Sequence, residues 1–402
     1  MNGAMLRVSA MMFLEFFIWG AWFVTLGTYL GHGPLAANGS QIATAYLSQS
    51  IGAILAPFVV GLIADRYWSA QHILAVMQFG GAVLMWIAST MTSFRAFLVL
   101  IMLYMVLFMP TLALVNAVAM RHMRDPRKQF PPIRVIGSFG WIVAGLVIAL
   151  LNWEQQNRLD LTFKMASIAG FIFSMYAFSL PDTPPLKRHI AVSLNEIFGL
   201  DALKLLKNRS YLIFFTASIA ICIPLSFYYN FTNSFLNEIG IQGATGLQSL
   251  GQMSEVLLML AMPLLFATLG VKMMLTVSMA AWVMRYVLFA YGYTDTAHWS
   301  LIIGIVLHGI CYDFFFVAGQ IYTDSHAGPR FRSAAQGLIT LATYGVGMLV
   351  GTYLSGVVVD HFTHGTVRDW RGIWTVPALI SFIVLVVFFA MFREQKSNYQ
   401  GV

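Results

Sequence analysis

The sequence predicts an all-α membrane protein with twelve transmembrane helices, and three observations lead to that prediction. Of the 402 residues, 59% are apolar and only 10% are charged, whereas a soluble domain usually has about 25% charged residues. The chain contains twelve apolar runs, each long enough for a membrane-spanning helix of roughly 20 residues. Basic residues concentrate in alternate connections between those runs. A soluble domain is excluded, because the chain lacks the polar surface that such a domain needs.

The twelve runs are spaced along the whole chain. They occupy residues 8–30, 41–64, 73–91, 96–118, 131–151, 162–180, 211–234, 246–268, 273–292, 299–321, 333–358 and 373–392. The first run is interpreted as a permanent helix rather than a secretory signal, because it is long and eleven more runs follow it.

Lysine and arginine positions predict the orientation of these helices. If the N-terminus lies inside, the inner segments hold sixteen basic residues and the outer segments five, while Arg134 and Arg285 lie within helices. An excess of basic residues marks the cytoplasmic side. We therefore expect a multi-pass membrane protein with both termini in the cytoplasm. The same bias explains the net charge of +7, so no nucleic-acid partner is expected.

The runs divide into two groups of six. The sequence predicts an N-terminal six-helix bundle (1–180), a cytoplasmic linker with an amphipathic helix at the membrane surface (181–210), and a C-terminal six-helix bundle (211–402). Two such halves are typical of one class of secondary transporters. A faint repeat supports the division, because GLIADR (61–66) and ATLGVK (267–272) follow the second span of each half.

Enzyme signatures are not found in the sequence. It has no Walker A, HExxH, GxSxG or DDxxD motif, and its two cysteines, Cys222 and Cys311, lie inside apolar runs far apart. We therefore predict no enzymatic activity, no cofactor and no metal site.

Ionisable residues inside the apolar runs are the candidate functional residues, because each costs about 2.5–3.5 kcal/mol at the bilayer centre. These are Glu15, Arg134, Glu255, Arg285 and Asp313. Asp313 lies among aromatic residues that suit the stacking of a flat ligand, and its carboxyl suits proton exchange. The alternative is a structural ion pair with an arginine.

Two helical faces combine polar and aromatic groups. Gln252 lies three residues before Glu255, so both side chains share a face and offer donors and acceptors to a polar ligand. Arg134, Ser138 and Trp141 share another face. An interhelical hydrogen bond at Glu255 and an interfacial position of Arg134 remain the alternatives.

Three further groups have a less defined role at this stage. Glu15 shares a face with Trp19 and Trp22, and either a site role or local packing accounts for it. Arg285 is interpreted as structural. His308 is interpreted as a buried imidazole with satisfied hydrogen bonds, because it lies five residues before Asp313 and points in a different direction.

Several segments resemble a known family along nearly the whole chain. GLIADR resembles the signature loop of the major facilitator superfamily, and eight segments together resemble the nucleoside:proton symporter family within it. These segments are FFIWGAWFVTLGTYL (16–30), FMPTLALVNAVA (108–119), FPPIRVIGSFGW (130–141), GLDALKLLKN (199–208), QMSEVLLMLAMP (252–263), RYVLFAYG (285–292), YDFF (312–315) and AAQGLITL (334–341).

The resemblance implies a major facilitator superfamily fold, in which two six-helix bundles surround a central substrate site. The residues that match the binding positions of the family are Arg134, Ser138, Trp141, Gln252, Glu255, Tyr312 and Asp313. Trp141 replaces a Phe of the family. Ser226 and Tyr229 occupy places where the best-known members have Gln and Asn, and Glu15 occupies the place of a Gln.

The resemblance implies a proton-coupled symporter that imports a nucleoside or a closely related ribosyl compound by alternating access. Asp313, Glu255 and Glu15 are the candidate proton-coupling residues. The expected partners are the nucleoside, protons and the lipid bilayer, and we expect a monomer. A proton-coupled sugar or oligosaccharide symporter of the same fold is the alternative, because of the differences at Ser226 and Tyr229.

Overall fold

A computed structural model describes residues 3–59, 67–123, 126–185, 200–293 and 298–393, which are almost entirely helical. The first part forms α1 (Gly3–Gly20), α2 (Leu26–His32), α3 (Gly39–Val59), α4 (Ala70–Ala88), α5 (Phe94–Arg121), α6 (Pro126–Leu150) and α7 (Asp160–Ala177). The middle part forms a 3-10 helix (Leu200–Lys207), α8 (Arg209–Glu238) and α9 (Ala244–Tyr291). The last part forms α10 (Trp299–Val306), α11 (His308–Tyr312), a π-helical turn (Asp313–Val317), α12 (Ala318–Thr340), a second π-helical turn (Leu341–Gly347), α13 (Met348–His361), the hairpin strands β1 (Thr363–His364) and β2 (Val367–Arg368), and α14 (Trp370–Met391).

Most described residues of the twelve predicted runs are helical, and a turn at residues 21–25 interrupts the first run between α1 and α2. Nine helices in the described ranges are long and apolar enough to cross a bilayer. The runs at 41–64, 162–180 and 246–268 lie on α3, α7 and the first part of α9. The all-helical prediction is therefore confirmed.

The eighth and ninth runs join into α9 across a break at Gly270. Gly270 has φ 69° and ψ 172°, which is not helical. Glycine adopts positive φ without a steric penalty, because it has no Cβ. The predicted turn at 267–272 is therefore present. Its predicted counterpart, residues 61–66, lies outside the described residues.

The chain forms two compact units. One comprises Met1–Val192 and Asn230–Ser249, and the other comprises Ser193–Tyr229 and Leu250–Val402. Both α8 and α9 contribute residues to each unit. The units differ from the predicted bundles in the placement of Asn230–Ser249, and the division at 181–210 stays a prediction.

Small residues allow close helix packing in the first unit. Ser167 and Ser174 of α7 donate hydrogen bonds to the carbonyls of Ala82 and Ala75 of α4, at 2.7 and 2.8 Å. A Cβ at Gly170, between them, would lie 3.1 Å from the Cβ of Ala82. Close approach of small residues is a usual way to pack helices in lipid, where no hydrophobic effect drives association.

Glu154 accepts the hydrogen bonds that hold Asn230–Ser249 in the first unit. Its carboxylate accepts from Asn233 Nδ2 at 2.9 Å, Thr245 Oγ1 at 2.6 Å and Asn237 Nδ2 at 3.2 Å. Thr28 Oγ1 donates to Asn233 Oδ1 at 2.5 Å. A buried carboxylate needs such donors, since an unpaired one is costly.

In the second unit, α13 packs against α8 through Gly351. A Cβ at this position would lie 2.6 Å from the Cα of Ile223 and 2.6 Å from the Oγ of Ser226. Three fully buried aromatic rings also stack in this unit, with the Tyr286 centroid 5.9 Å from that of Trp282 and 5.8 Å from that of Trp374.

The 3-10 helix packs against α12. Ala202 is buried in a cluster with Ala327, Ala335 and Leu338 of α12. Leu205 packs against the same cluster. The apolar side of this part of the linker therefore faces α12, where the sequence predicted contact with the membrane surface. The preceding part of the linker, residues 186–199, lies outside the described residues.

Candidate functional site

The predicted site residues are distributed over both units. The first unit contains Glu15, Arg134, Ser138 and Trp141, and the second contains Ser226, Tyr229, Gln252, Glu255, Tyr312 and Asp313.

The α6 residues lie along the contact with α1. The Cζ of Arg134 lies 4.1 Å from the ring centroid of Phe16, a cation–π contact. Its Nη1 atom is buried and has no hydrogen-bond partner among the described residues. Ser138, one turn further along, is only 5% exposed. The arrangement holds a guanidinium flat against a ring with donor capacity unused.

Trp141 is positioned by glycine and by aromatic neighbours on α1. A Cβ at Gly20 would lie 2.9 Å from the Cα of Trp141, so only glycine permits this approach. The Trp141 ring meets Trp19 edge-on with centroids 5.3 Å apart, and Phe23 at 6.2 Å. These contacts fix the indole in one orientation.

Glu15 makes its hydrogen bonds with α4 and α5. Gln78 Nε2 lies 2.8 Å from Oε2, and Thr111 Oγ1 lies 2.5 Å from Oε1. Thr111 Oγ1 also lies 2.6 Å from the carbonyl oxygen of Phe108. A hydroxyl has one proton and can donate to only one of two acceptors. The two short distances are satisfied together if Glu15 is protonated and donates to Thr111, which then donates to Phe108.

Glu255 of α9 lies close to the imidazole of His308. Its Oε2 is 3.8 Å from Nε2 of His308, and the residue is only 7% exposed. Gln252 is half-buried one turn earlier, and its amide has no hydrogen-bond partner among the residues described. The predicted amide–carboxyl pair therefore offers one side chain whose polar atoms are unused.

Tyr312 and Asp313 lie where α11 changes into a π-helical turn. Asp313 is fully buried and begins the turn Asp313–Val317. The hydroxyl of Tyr312 is hydrogen-bonded to that of Tyr344, which lies in the second π-helical turn. Its ring is stacked near His308 with centroids 5.7 Å apart. π-helical turns are rare and often occur at functional sites.

The two α8 residues have different surroundings. The Tyr229 ring lies edge-on to His308 with centroids 6.4 Å apart, so it belongs with Tyr312 and Glu255. Ser226 is fully buried, and its hydroxyl donates to the Cys222 carbonyl at 2.9 Å. It also lies 3.4 Å from the carbonyl oxygen of Met348, so it contributes to the packing of α8 against α13.

The structure brings together residues that sequence reasoning did not connect. Tyr229, Glu255 and Tyr312 converge on His308. The sequence signal was the spacing of four residues between His308 and Tyr312, which places both on one helical face. Tyr344, Gln78 and Thr111 lie too far away in sequence for any spacing argument.

Comparison with known proteins identifies the chain. The family model described as "Nucleoside H+ symporter" matches residues 1–397. The Escherichia coli (strain K12) protein named "Putative nucleoside transporter YegT" is 39% identical, over 98% of this chain and 95% of that protein. The xanthosine permease of the same organism is 33% identical, over 96% of each chain.

Solved structures agree with the family match. The crystal structure of the nucleoside transporter NupG superposes with a TM-score of 0.87 at 30% identity, covering 98% of this chain and 100% of that one. A peptide transporter of the POT family superposes with a TM-score of 0.77 at 15% identity, covering 99% of each chain. The NupG match confirms the predicted major facilitator superfamily fold, and the second match shows the fold alone. The chain belongs to the nucleoside H+ symporter family and is a proton-coupled membrane transporter of nucleosides or closely related ribosyl compounds, not an enzyme.

Proposed function

We propose that the chain imports its substrate as a monomer across the inner membrane of a bacterium, with both termini in the cytoplasm. Two contacts at one end of the first unit support this orientation. Arg7 Nη1 donates to the Ser179 carbonyl at 3.0 Å, and Arg121 donates to the Pro184 carbonyl. These segments are among those whose basic residues predict the inner side.

The substrate is bound by polar and aromatic side chains of α6, α8, α9 and α11. Arg134 and Ser138 of α6, together with Gln252 and Glu255 of α9, bind the hydroxyls and base edge of the nucleoside. Trp141, Tyr229 and Tyr312 pack against its flat ring. The unpartnered Nη1 of Arg134 carries this proposal, because a buried donor without a partner costs about 1–3 kcal/mol unless a ligand satisfies it.

The transported protons bind to carboxyls of the second unit. Asp313 is fully buried and Glu255 nearly so, so protonation of either removes a charge from a low-dielectric region. Neutralised carboxyls favour one conformation of the transporter over the other, and release follows at cytoplasmic pH. Glu15 keeps its proton in this scheme, because a protonated carboxyl donates to Thr111 Oγ1 while that hydroxyl donates to the Phe108 carbonyl.

The test is uptake of radiolabelled uridine and adenosine into proteoliposomes with an inward proton gradient, with no gradient, and with a protonophore. We expect accumulation above the outside concentration only with the gradient. Uptake that reaches only equilibrium under the gradient would contradict the coupling. Vesicles without protein correct for leakage.

Competition distinguishes the substrate class. Excess unlabelled nucleosides should abolish uptake, and mono- and disaccharides at the same concentration should leave it unchanged. Inhibition by sugars alone would assign the chain to sugar transport instead. In that case Ser226 would not explain a preference for sugars over nucleosides, because its hydroxyl is already hydrogen-bonded within its own helix.

A further inference from the structure

The imidazole of His308 lies at the centre of the second unit's group of site residues. Its Nε2 is 3.8 Å from Glu255 Oε2. Its ring is stacked near Tyr228, with centroids 5.2 Å apart, and near Tyr312, at 5.7 Å. The residue is 1% exposed, and Nδ1 has no hydrogen-bond partner in the described ranges. Among the residues that the structure describes, Glu255 is the one carboxyl within 4 Å of this imidazole.

Backbone packing fixes the imidazole relative to that carboxyl. The amide N–H of Gly309 donates to Ser254 Oγ at 3.0 Å. A Cβ at Gly309 would lie 2.7 Å from the backbone nitrogen of Glu255, and one at Gly251 would lie 3.0 Å from the Cβ of His308. Two glycines therefore allow α11 to press against α9 at this point. Such contact leaves the two side chains little freedom to separate.

A fixed positive charge lies beyond one of the stacked rings. Arg285 is fully buried, its Nε donates to the Gly304 carbonyl at 2.9 Å, and its Cζ lies 4.3 Å from the centroid of Tyr228. Its two terminal nitrogens have no hydrogen-bond partner among the described residues. A second positive charge on His308 would be repelled by this guanidinium. The imidazole is therefore neutral, and one of its ring nitrogens is an acceptor.

The titratable and charged groups around His308 come from three helices. They are Tyr228 and Tyr229 of α8, Glu255 and Arg285 of α9, and Tyr312 of α11. Of these groups, Glu255 is the carboxyl, and its Oε2 lies 3.8 Å from Nε2 of His308.

We propose that His308 is a positioning residue for proton binding at Glu255, acting as the acceptor for the protonated carboxyl. A proton from water adds to Oε2, and the resulting O–H donates to Nε2 of the neutral imidazole. No other bond forms or breaks, and the proton returns to water on the opposite side of the membrane. The distance of 3.8 Å shortens by about 1 Å when this hydrogen bond forms. The inference deepens the proposed function and rests on it.

Two substitutions separate this role from packing. His308→Phe keeps the ring between Tyr228 and Tyr312 but has no acceptor. His308→Gln keeps an acceptor oxygen but loses the stacked ring. If the imidazole is the acceptor, the Phe variant requires a more acidic medium to protonate Glu255, because the protonated form has lost its partner. We expect the pH of half-maximal uptake to fall by about one unit, which is a tenfold loss of proton affinity.

The measurement is gradient-driven nucleoside uptake in proteoliposomes between pH 5 and 8, together with gradient-free counterflow of labelled against unlabelled nucleoside. We expect His308→Gln to keep the wild-type pH profile. His308→Phe should show the acidic shift while counterflow persists. His326→Phe is the matched control. His326 is a half-buried histidine of the same unit, with Nδ1 3.2 Å from the Tyr322 carbonyl oxygen, and its replacement should leave the profile unchanged.

The outcomes that overturn the inference are distinct from failure of the proposed function. A wild-type profile in His308→Phe, with loss of activity in His308→Gln, shows a packing role for the ring. Equal loss of counterflow in His308→Phe and His308→Gln would also show that the ring has only a packing role. If wild-type protein accumulates no nucleoside under the gradient, the proposed function fails first, and this inference fails with it.

Discussion

The hydroxyl of Tyr312 is hydrogen-bonded to the hydroxyl of Tyr344, and each tyrosine lies at a π-helical turn. Tyr312 immediately precedes Asp313–Val317, and Tyr344 lies within Leu341–Gly347. Phe316 adds to the contact, with its ring centroid 4.9 Å from that of Tyr312 and 6.4 Å from that of Tyr344. Two irregular turns far apart in sequence are thus joined by one pair of side chains, next to Asp313.

Tyr344→Phe should weaken substrate binding without direct loss of a binding residue. The change leaves the ring in place and removes the partner of the Tyr312 hydroxyl. A hydrogen bond contributes about 1 kcal/mol, so we expect roughly a fivefold rise in KM for nucleoside uptake. Tyr353→Phe, at an exposed tyrosine of α13, should leave KM unchanged.

A double-mutant cycle makes that prediction specific to the pair. Tyr312→Phe and Tyr344→Phe remove the same hydrogen bond, so the double variant should lose less than the sum of the single variants. Strictly additive effects on KM would show that the two hydroxyls act independently.

Asp313→Asn should abolish proton-driven accumulation. Asparagine has the same size but takes up no proton, so the buried site would remain neutral at every pH. We expect labelled nucleoside to reach the outside concentration and not to exceed it, under an inward proton gradient. Full uphill uptake would remove Asp313 from the mechanism. Asp360→Asn, at the end of α13, is the control for loss of a single carboxyl elsewhere in the unit.

Glu15→Gln should leave both folding and coupling close to wild type. The amide of glutamine can donate to Thr111 and accept from Gln78, which reproduces the hydrogen bonds of a protonated glutamate. We expect an unchanged midpoint of thermal unfolding and uphill uptake within about twofold of wild type. Loss of uphill uptake with normal counterflow would instead assign a coupled proton to Glu15.

Glu15→Ala removes the hydrogen bonds that Glu15→Gln preserves. It leaves the amide donor of Gln78 without its buried acceptor and the hydroxyl oxygen of Thr111 without its donor, at a cost of about 1–3 kcal/mol for each unsatisfied group. The midpoint of thermal unfolding in detergent should therefore fall for Ala and stay constant for Gln.

Gly351→Val should destabilise the contact between α13 and α8. A Cβ at this position would lie 2.6 Å from the Cα of Ile223, so the helices must separate, at a cost of about 1–3 kcal/mol. Thermal unfolding monitored by tryptophan fluorescence measures the loss. Gly337→Ala is the matched control, because nothing lies within 4 Å of an added Cβ there, and its stability should not fall.

The helices could be predicted from the sequence because a bilayer requires about 20 apolar residues per span. One helix break could also be predicted. Gly270 was predicted to lie in a turn, and its positive φ produces that turn. The apolar face of Leu200–Lys207 fits a membrane surface and a protein surface equally well by pattern, so its packing against α12 required the structure.

Candidate site residues could be related to one another from the sequence where they lie on the same helix. Gln252 and Glu255 share a face by spacing alone. His308 was assigned to packing because its direction was judged against Asp313, while its carboxyl neighbour, Glu255, lies on another helix. Ser226 matched a family position, but its hydroxyl lies against α13, where a Cβ at Gly351 would be 2.6 Å from its Oγ. Spacing within one helix contains no information about either contact.

The π-helical turn at Asp313–Val317 also limits what helical-wheel diagrams of this region can show. A π turn accommodates one more residue than an α turn, and each residue of an α-helix rotates the face by about 100°. A wheel drawn continuously from α11 into α12 therefore assigns the later residues to the wrong side. Removal of one residue between 313 and 317, with regular α-helix in place of the wide turn, is therefore expected to leave Tyr312 close to its present orientation relative to α12. Conversion of the turn to α-helix with all its residues retained would instead rotate Tyr312 by about 100°. The π-helical turn thus keeps the helix faces before and after it aligned, although the tenth span contains one additional residue.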